Sequence, residues 1–233
     1  MLKNPDWERL WRSAGIQFVV LFVIAWIIYG DQPKVGASAD KLVSFYDGDR
    51  TRILIATVLF GLAVLNLMWF GAALASALRD AGQGGWGNAA TASSAALGAV
   101  LFVLMTVNAT LAYSIAGSGN DTLTTGLNDF AWVLTVILSF PAAMLIMAGS
   151  FGLWRAEIIS KALFTAGVAA VILVLLGGTT WASDGVWAPD GAYSRFISPI
   201  IALVWVVVFS GLLVRHGSSS KVGAAEGQAA SAP

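Results

Sequence analysis

Six stretches of the chain, about 14–30, 53–78, 90–116, 130–153, 162–182 and 196–214, contain no Asp, Glu, Lys, Arg or His. A bilayer core of about 30 Å takes roughly 20 apolar residues at 1.5 Å rise each, and hydrocarbon offers backbone amides no partner but one another. Helix is therefore the conformation open to each stretch. Composition agrees, since 58% of the 233 residues are hydrophobic and 11% charged, against about 25% charge in a soluble domain. The predicted fold class is all-α: a polytopic transmembrane bundle of six helices with a short amphipathic helix at the outer interface. Residues 1–216 form the transmembrane domain, and 217–233, rich in Ser, Ala and Gly, are expected to be a disordered cytoplasmic tail. The first span has the basic flank and apolar core of a signal peptide, with Ala37-Ser38-Ala39 as a small-residue triplet. That triplet lies beyond Pro33 and five spans follow, so retention as an anchor is expected.

Orientation follows from basic residues, which concentrate on the cytoplasmic side. With the N-terminus inside, eight lie inside (Lys3, Arg9, Arg12, Arg79, Arg155, Lys161, Arg215, Lys221) and five outside (Lys34, Lys41, Arg50, Arg52, Arg195). Acids run the other way, eight outside and five inside, so the formal net charge of zero sums −3 outside and +3 inside. The expectation is a multi-pass protein of the bacterial cytoplasmic (inner) membrane with both termini cytoplasmic. Trp7, Trp11, Trp86 and Trp154 are expected in an inner aromatic belt, and Trp132, Trp181 and Trp187 in an outer one. The lipid bilayer is the first partner, with a second membrane protein or a second copy of the chain beside it. A balanced charge gives no reason to expect nucleic acid.

The first outer loop carries its own helical signal. Ser38 is placed as an N-cap and Asp40 in the first turn, with Leu42, Val43, Phe45 and Tyr46 as an apolar face before Gly48. A short amphipathic helix lying over the bundle is predicted, with Asp49 capping the second span. Asp47, Asp49, Arg50 and Arg52 form a candidate outer-surface cluster of acids and cations, but no nucleophile–base or metal-ligand spacing accompanies it. It reads first as a solvated helix entrance. The third outer loop, with Asp184-Gly185 and Pro189-Asp190-Gly191, reads as turns held by aromatic anchors.

Several chemistries lose their ligands at once. There is no Cys, the one histidine is His216, and no lysine lies within a span to form a Schiff base. Buried acids or histidines that couple ion movement are equally lacking within the spans. No catalytic residue, metal site or cofactor is predicted, and an enzyme is disfavoured. What remains inside is neutral and polar: Thr57, Asn66, Ser94 and Asn108, with Pro141 at the centre of the fourth span. Asn108 is expected to hydrogen-bond Thr57 or Asn66 between spans two and three, as helix glue or as the polar lining of a ligand cavity. Pro141 lacks an N–H, which frees the Ile137 carbonyl and predicts a kink. Small residues recur every fourth position at Ala90, Ser94 and Gly98, and at Ala162, Ala166 and Ala170, which lets helix backbones approach.

Gly152-Leu-Trp-Arg155, Trp187-Ala-Pro-Asp-Gly-Ala-Tyr-Ser-Arg195 and a last span holding Trp205 and ending Leu213-Val-Arg-His216 resemble a group of bacterial six-helix integral membrane proteins of unknown function. The turn Ile158-Ile-Ser-Lys161 departs from the Leu-Pro-Arg-Trp turn of that group. The resemblance implies the six-helix fold and no mechanism. The leading functional expectation is an accessory or ligand- and lipid-sensing bundle acting through membrane partners. The alternative is a small permease or channel for an uncharged apolar solute.

Overall fold

The computed structural model describes residues 10–230, with side chains described for residues 10–215. Lys3, Arg9 and Trp7, assigned to the inner face above, lie outside the described residues, as do the side chains of His216 and Lys221. The described chain is helical without strands: α1 Ala14–Tyr29, α2 Ala39–Tyr46, α3 Arg50–Asp80, α4 Gly84–Thr110, α5 Asp121–Ile137, α6 Ser139–Arg155, α7 Lys161–Gly177 and α8 Ser198–Ala230. Four rods are long and apolar enough to cross a membrane: Arg50–Asp80, Gly84–Ser118, Asp121–Arg155 and Tyr193–Arg215. Two further apolar helices are shorter, α1 with 16 residues and α7 with 17. Helical backbone in α8 continues to Ala230, over most of the segment expected to be disordered.

The helices close a ring. α1 packs on α3, α3 on α4, α4 on α6, α6 on α7, α7 on α8, and α8 returns to α1. The small-residue row Ala90, Ser94 and Gly98 performs the expected close approach within the chain. A Cβ on Gly98 would lie 3.3 Å from Met68 Cγ, and Ser94 fills the space beside Gly71 on α3. The second row makes no such contact within the chain: Ala162 and Ala166 are exposed, and the approach of α7 to α6 is made by Gly167, whose missing side chain admits Ser150. The helical period decides this, because Gly167 lies about 100° round from Ala166.

Two helix hairpins end alike. Gln83 N–H donates to Leu78 O (2.7 Å) and Gly82 N–H to Arg79 O (3.0 Å), while Ile158 N–H donates to Leu153 O (2.9 Å) and Glu157 N–H to Trp154 O (3.0 Å). Both are Schellman turns, which need a left-handed residue after the helix. Gly82 (φ 73°) supplies it in the first and Glu157 (φ 59°) in the second.

Pro141 divides the long rod as predicted. α5 stops at Ile137, the residue whose carbonyl the proline cannot engage, and α6 begins at Ser139. The bonds Leu138 N–H to Leu134 O and Ala142 N–H to Leu138 O carry the backbone across the break. Two other places widen into single π turns, marked by bonds spanning five residues: Ala116 N–H to Leu111 O in Leu111–Ile115, and Ser198 N–H to Tyr193 O in Tyr193–Ile197.

Candidate functional site: an apolar cavity under a hydrogen-bonded roof

The ring holds a cavity of about 190 Å³, open to the outside over part of its surface, with largely apolar walls. It runs from Gly30, which caps α1 at the end where α2 lies, to Phe18 on α1, a separation of roughly 18 Å at helical rise. Among its lining residues Arg195 is the charged one, and it stands at the α2 end with Gly30 and Gln32.

At the opposite end the cavity is floored by Trp205. Its ring stacks on Phe209 (4.2 Å between centroids) and meets Phe70 edge-on (6.1 Å). Its Nε1–H donates to Ser150 Oγ at 3.1 Å. Gly149 makes room for it, since a Cβ there would lie 2.6 Å from the indole. The layer is tight because buried aromatic rings fill space densely and the indole N–H has its acceptor.

The roof is built differently, from hydrogen bonds. α2 is the predicted amphipathic helix, with Leu42 and Tyr46 fully buried. Tyr46 Oη donates to Asn128 Oδ1 at 3.0 Å and lies 3.2 Å from Asn108 Oδ1, which receives the Tyr29 hydroxyl at 2.9 Å. Asn108 Nδ2 donates to Leu104 O. Asn128 accepts from Gln32 Nε2 (3.3 Å) and donates to Lys34 O (3.2 Å) and Asp129 Oδ1 (3.4 Å). Asn108 is 2% exposed and Asn128 fully buried, so each of these bonds replaces one that water cannot make. Trp132 joins the same roof by donating Nε1–H to Pro33 O at 2.9 Å. It is buried there, a correction to its expected place in an interfacial belt.

Burial pushes the Tyr46 phenol well above its ordinary value, so it remains a protonated donor at physiological pH. A folded-state pKa above the unfolded 10.0 means its contribution is complete below pH 10 and is lost as pH rises past it. Tyr46→Phe should cost about 1–3 kcal/mol at pH 7, because Asn128 Oδ1 loses its better donor. It should also flatten part of the stability loss above pH 10, which melting curves across pH 7–11 would record.

The sequence-predicted residues fare unequally. Asn108 is in the site, but Thr57 and Asn66 do not reach it. Thr57 Oγ1 donates to Ile53 O (2.9 Å) and Asn66 Nδ2 to Leu62 O (2.9 Å), each within its own helix. Asn108 points to α1 and α2 instead, where phenols of the right depth stand. Ser94 donates to Thr91 O and serves the α3–α4 contact. Pro141 stands beside the site through its break, since Leu138 and Ser139 line the cavity.

The outer-surface cluster separates on folding. Arg52 Nη2 pairs with Asp49 Oδ2 at 2.6 Å, which takes the Asp49 carboxylate away from its expected capping role. Arg50 sits over the Tyr113 ring at 4.8 Å, and Asp47 lies against Gly117. Arg52 also leans on Gly30, 3.3 Å from where a Cβ would stand, so glycine at φ 84° is doubly required there. Tyr29, Gln32, Tyr46, Asn128 and Arg195 were missed as site residues by sequence reasoning. The available signal was their place at span borders, on faces that otherwise carry apolar residues.

An apolar cavity with polar groups gathered at one end can hold an elongated molecule in one orientation. No family model, curated protein or solved structure matches the chain, so its function is argued from this cavity.

Proposed function

We propose that this chain is a six-span protein of the bacterial inner membrane that binds an apolar, lipid-like molecule between its helices and passes its occupancy to a membrane partner or second copy. α1 and α7 are the two additional spans: 16 and 17 residues reach about 24–26 Å, close to a thin hydrocarbon core. The roof end faces outward and both termini face the cytoplasm, in keeping with the excess of basic residues at the floor end. The observation that carries the reading is the apolar cavity with Trp205 at one end and Tyr29, Gln32, Asn108 and Arg195 gathered at the other.

A purified chain in maltoside should show saturable quenching of its tryptophans by a bromine-labelled C16 chain, since Trp26, Trp132 and Trp205 line the cavity. Ala202→Phe, which places a ring in the cavity from α8, should remove saturation while the helical melt persists. Quenching that never saturates, or that survives Ala202→Phe unchanged, would reject the site. The permease reading draws on one observation, the helix break at Leu138 that forms part of the cavity wall. Flux of an uncharged apolar solute into proteoliposomes above the empty-vesicle rate would favour it over binding.

A further inference from the structure

We infer that the molecule held in the cavity is a single-chain amphiphile with an anionic oxygen headgroup, carboxylate or phosphate, and that Arg195 takes the headgroup. The inference rests on the cavity being a ligand site and adds the chemistry of its mouth. The polar side chains of the roof already have partners. Asn108 Oδ1 already faces two hydroxyls, Asn128 has its donors and acceptors engaged, and the shortest bond of the Tyr29 hydroxyl goes to Asn108. These side chains hold the roof and have little left for a neutral carbonyl or hydroxyl headgroup.

Arg195 is different. Its side chain is 15% exposed and lines the cavity, so its charge is largely withdrawn from water. A guanidinium offers five N–H donors in a rigid fork suited to carboxylate or phosphate. One nitrogen, Nη2, pairs with Asp31, and that aspartate is 84% exposed and hydrated. An ion pair with one partner in water contributes little, so an incoming oxyanion exchanges for Asp31 at small cost. Trp132 and Phe196, with centroids 5.8 and 5.1 Å from the guanidinium, hold its plane at the mouth. Arg52 adds a second positive charge behind Gly30, with its Nε buried and unpartnered among the described residues and its Nη2 on Asp49. Below them the walls are mainly apolar over roughly 18 Å, with Thr135, Ser139 and Ser198 as their hydroxyls, which suits one chain.

The test displaces the bromine-labelled C16 chain from the full-length protein with palmitate, hexadecyl phosphate or hexadecanol. At least one of the two anions should compete about tenfold or more better than hexadecanol, and the stronger of them identifies the headgroup. Arg195→Gln should abolish that preference and leave hexadecanol unchanged. Asp31→Asn, which frees the guanidinium at a solvated position, should tighten the anion severalfold without affecting the alcohol. Equal competition by all three in the wild-type chain, or a preference that persists in Arg195→Gln, overturns the headgroup assignment while the cavity still stands as a site. Failure of all three to displace the bromine-labelled chain rejects the cavity reading itself. If Arg195→Gln does not fold, an Asp31→Asn protein with unaltered anion affinity overturns the assignment equally well.

Discussion

Asn108→Leu should destabilise the purified chain by about 2–4 kcal/mol, while Asn66→Leu should leave it within about 0.5 kcal/mol. The two asparagines have similar sequence settings, deep in neighbouring apolar spans. Their surroundings in the fold differ. Asn108 Oδ1 stands 2.9 and 3.2 Å from two phenol oxygens, so leucine removes the acceptor of Tyr29 and a contact of Tyr46, both buried. Each buried donor left without a partner costs about 1–3 kcal/mol, and hydrogen bonds between membrane helices are worth roughly 0.6–2 kcal/mol. Asn66 bonds to its own backbone at Leu62 and is half-buried, so its removal strands nothing. Thermal melts in detergent would read both, and proteolysis within residues 31–49 should accelerate in Asn108→Leu as Tyr46 of α2 loses one of its two acceptors. Equal losses in the two variants would reinstate direct pairing between spans two and three.

Trp205→Ala should cost about 3–5 kcal/mol, the range for deleting a large buried aromatic side chain. It removes the stack on Phe209, the edge contact with Phe70 and the donor to Ser150, and it extends the cavity toward the floor. An enlarged apolar space takes in apolar molecules, so part of the loss should be regained on adding a hydrocarbon that fills it. Trp205→Phe is the control: it keeps a ring in place and loses the bond to Ser150, so its cost should be near 1 kcal/mol. A melt of Trp205→Ala indistinguishable from wild type would show that the floor is not a packed layer.

The apolar stretches located the helices because hydropathy reports burial in lipid or protein directly. They located the ends poorly. The stretch 130–153 lies in a rod that begins at Asp121, since Asn120 caps it by accepting from Leu123 N–H at 3.1 Å. The first turns of α5 hold Thr124, Asn128 and Asp129, polar residues that a hydropathy window rejects and that α2 covers. The stretch 162–182 overshoots because Gly177 and Gly178 end α7 sooner than apolarity does. In the site, Asn108 was legible as a costly polar group in a span, and its partners were not. Depth counted along separate straight helices compares neighbours in sequence, whereas Tyr29 and Tyr46 arrive from an end and from a roof. Arg195 was legible as a basic residue in the connection before the last apolar stretch, and nothing local indicated that folding would turn it inward.

The π turn at Tyr193–Ile197 holds one residue more than a helical turn needs, and Arg195 is at its centre. Removing one residue there would let the backbone close as ordinary α-helix and turn the residues of that turn lying before the deletion by about 100° about the axis of α8. Each residue lining the lower cavity would keep its place and chemistry. The direction in which Arg195 points is thus written in the count of residues in one turn, and an insertion or deletion of a single codon there would redirect it.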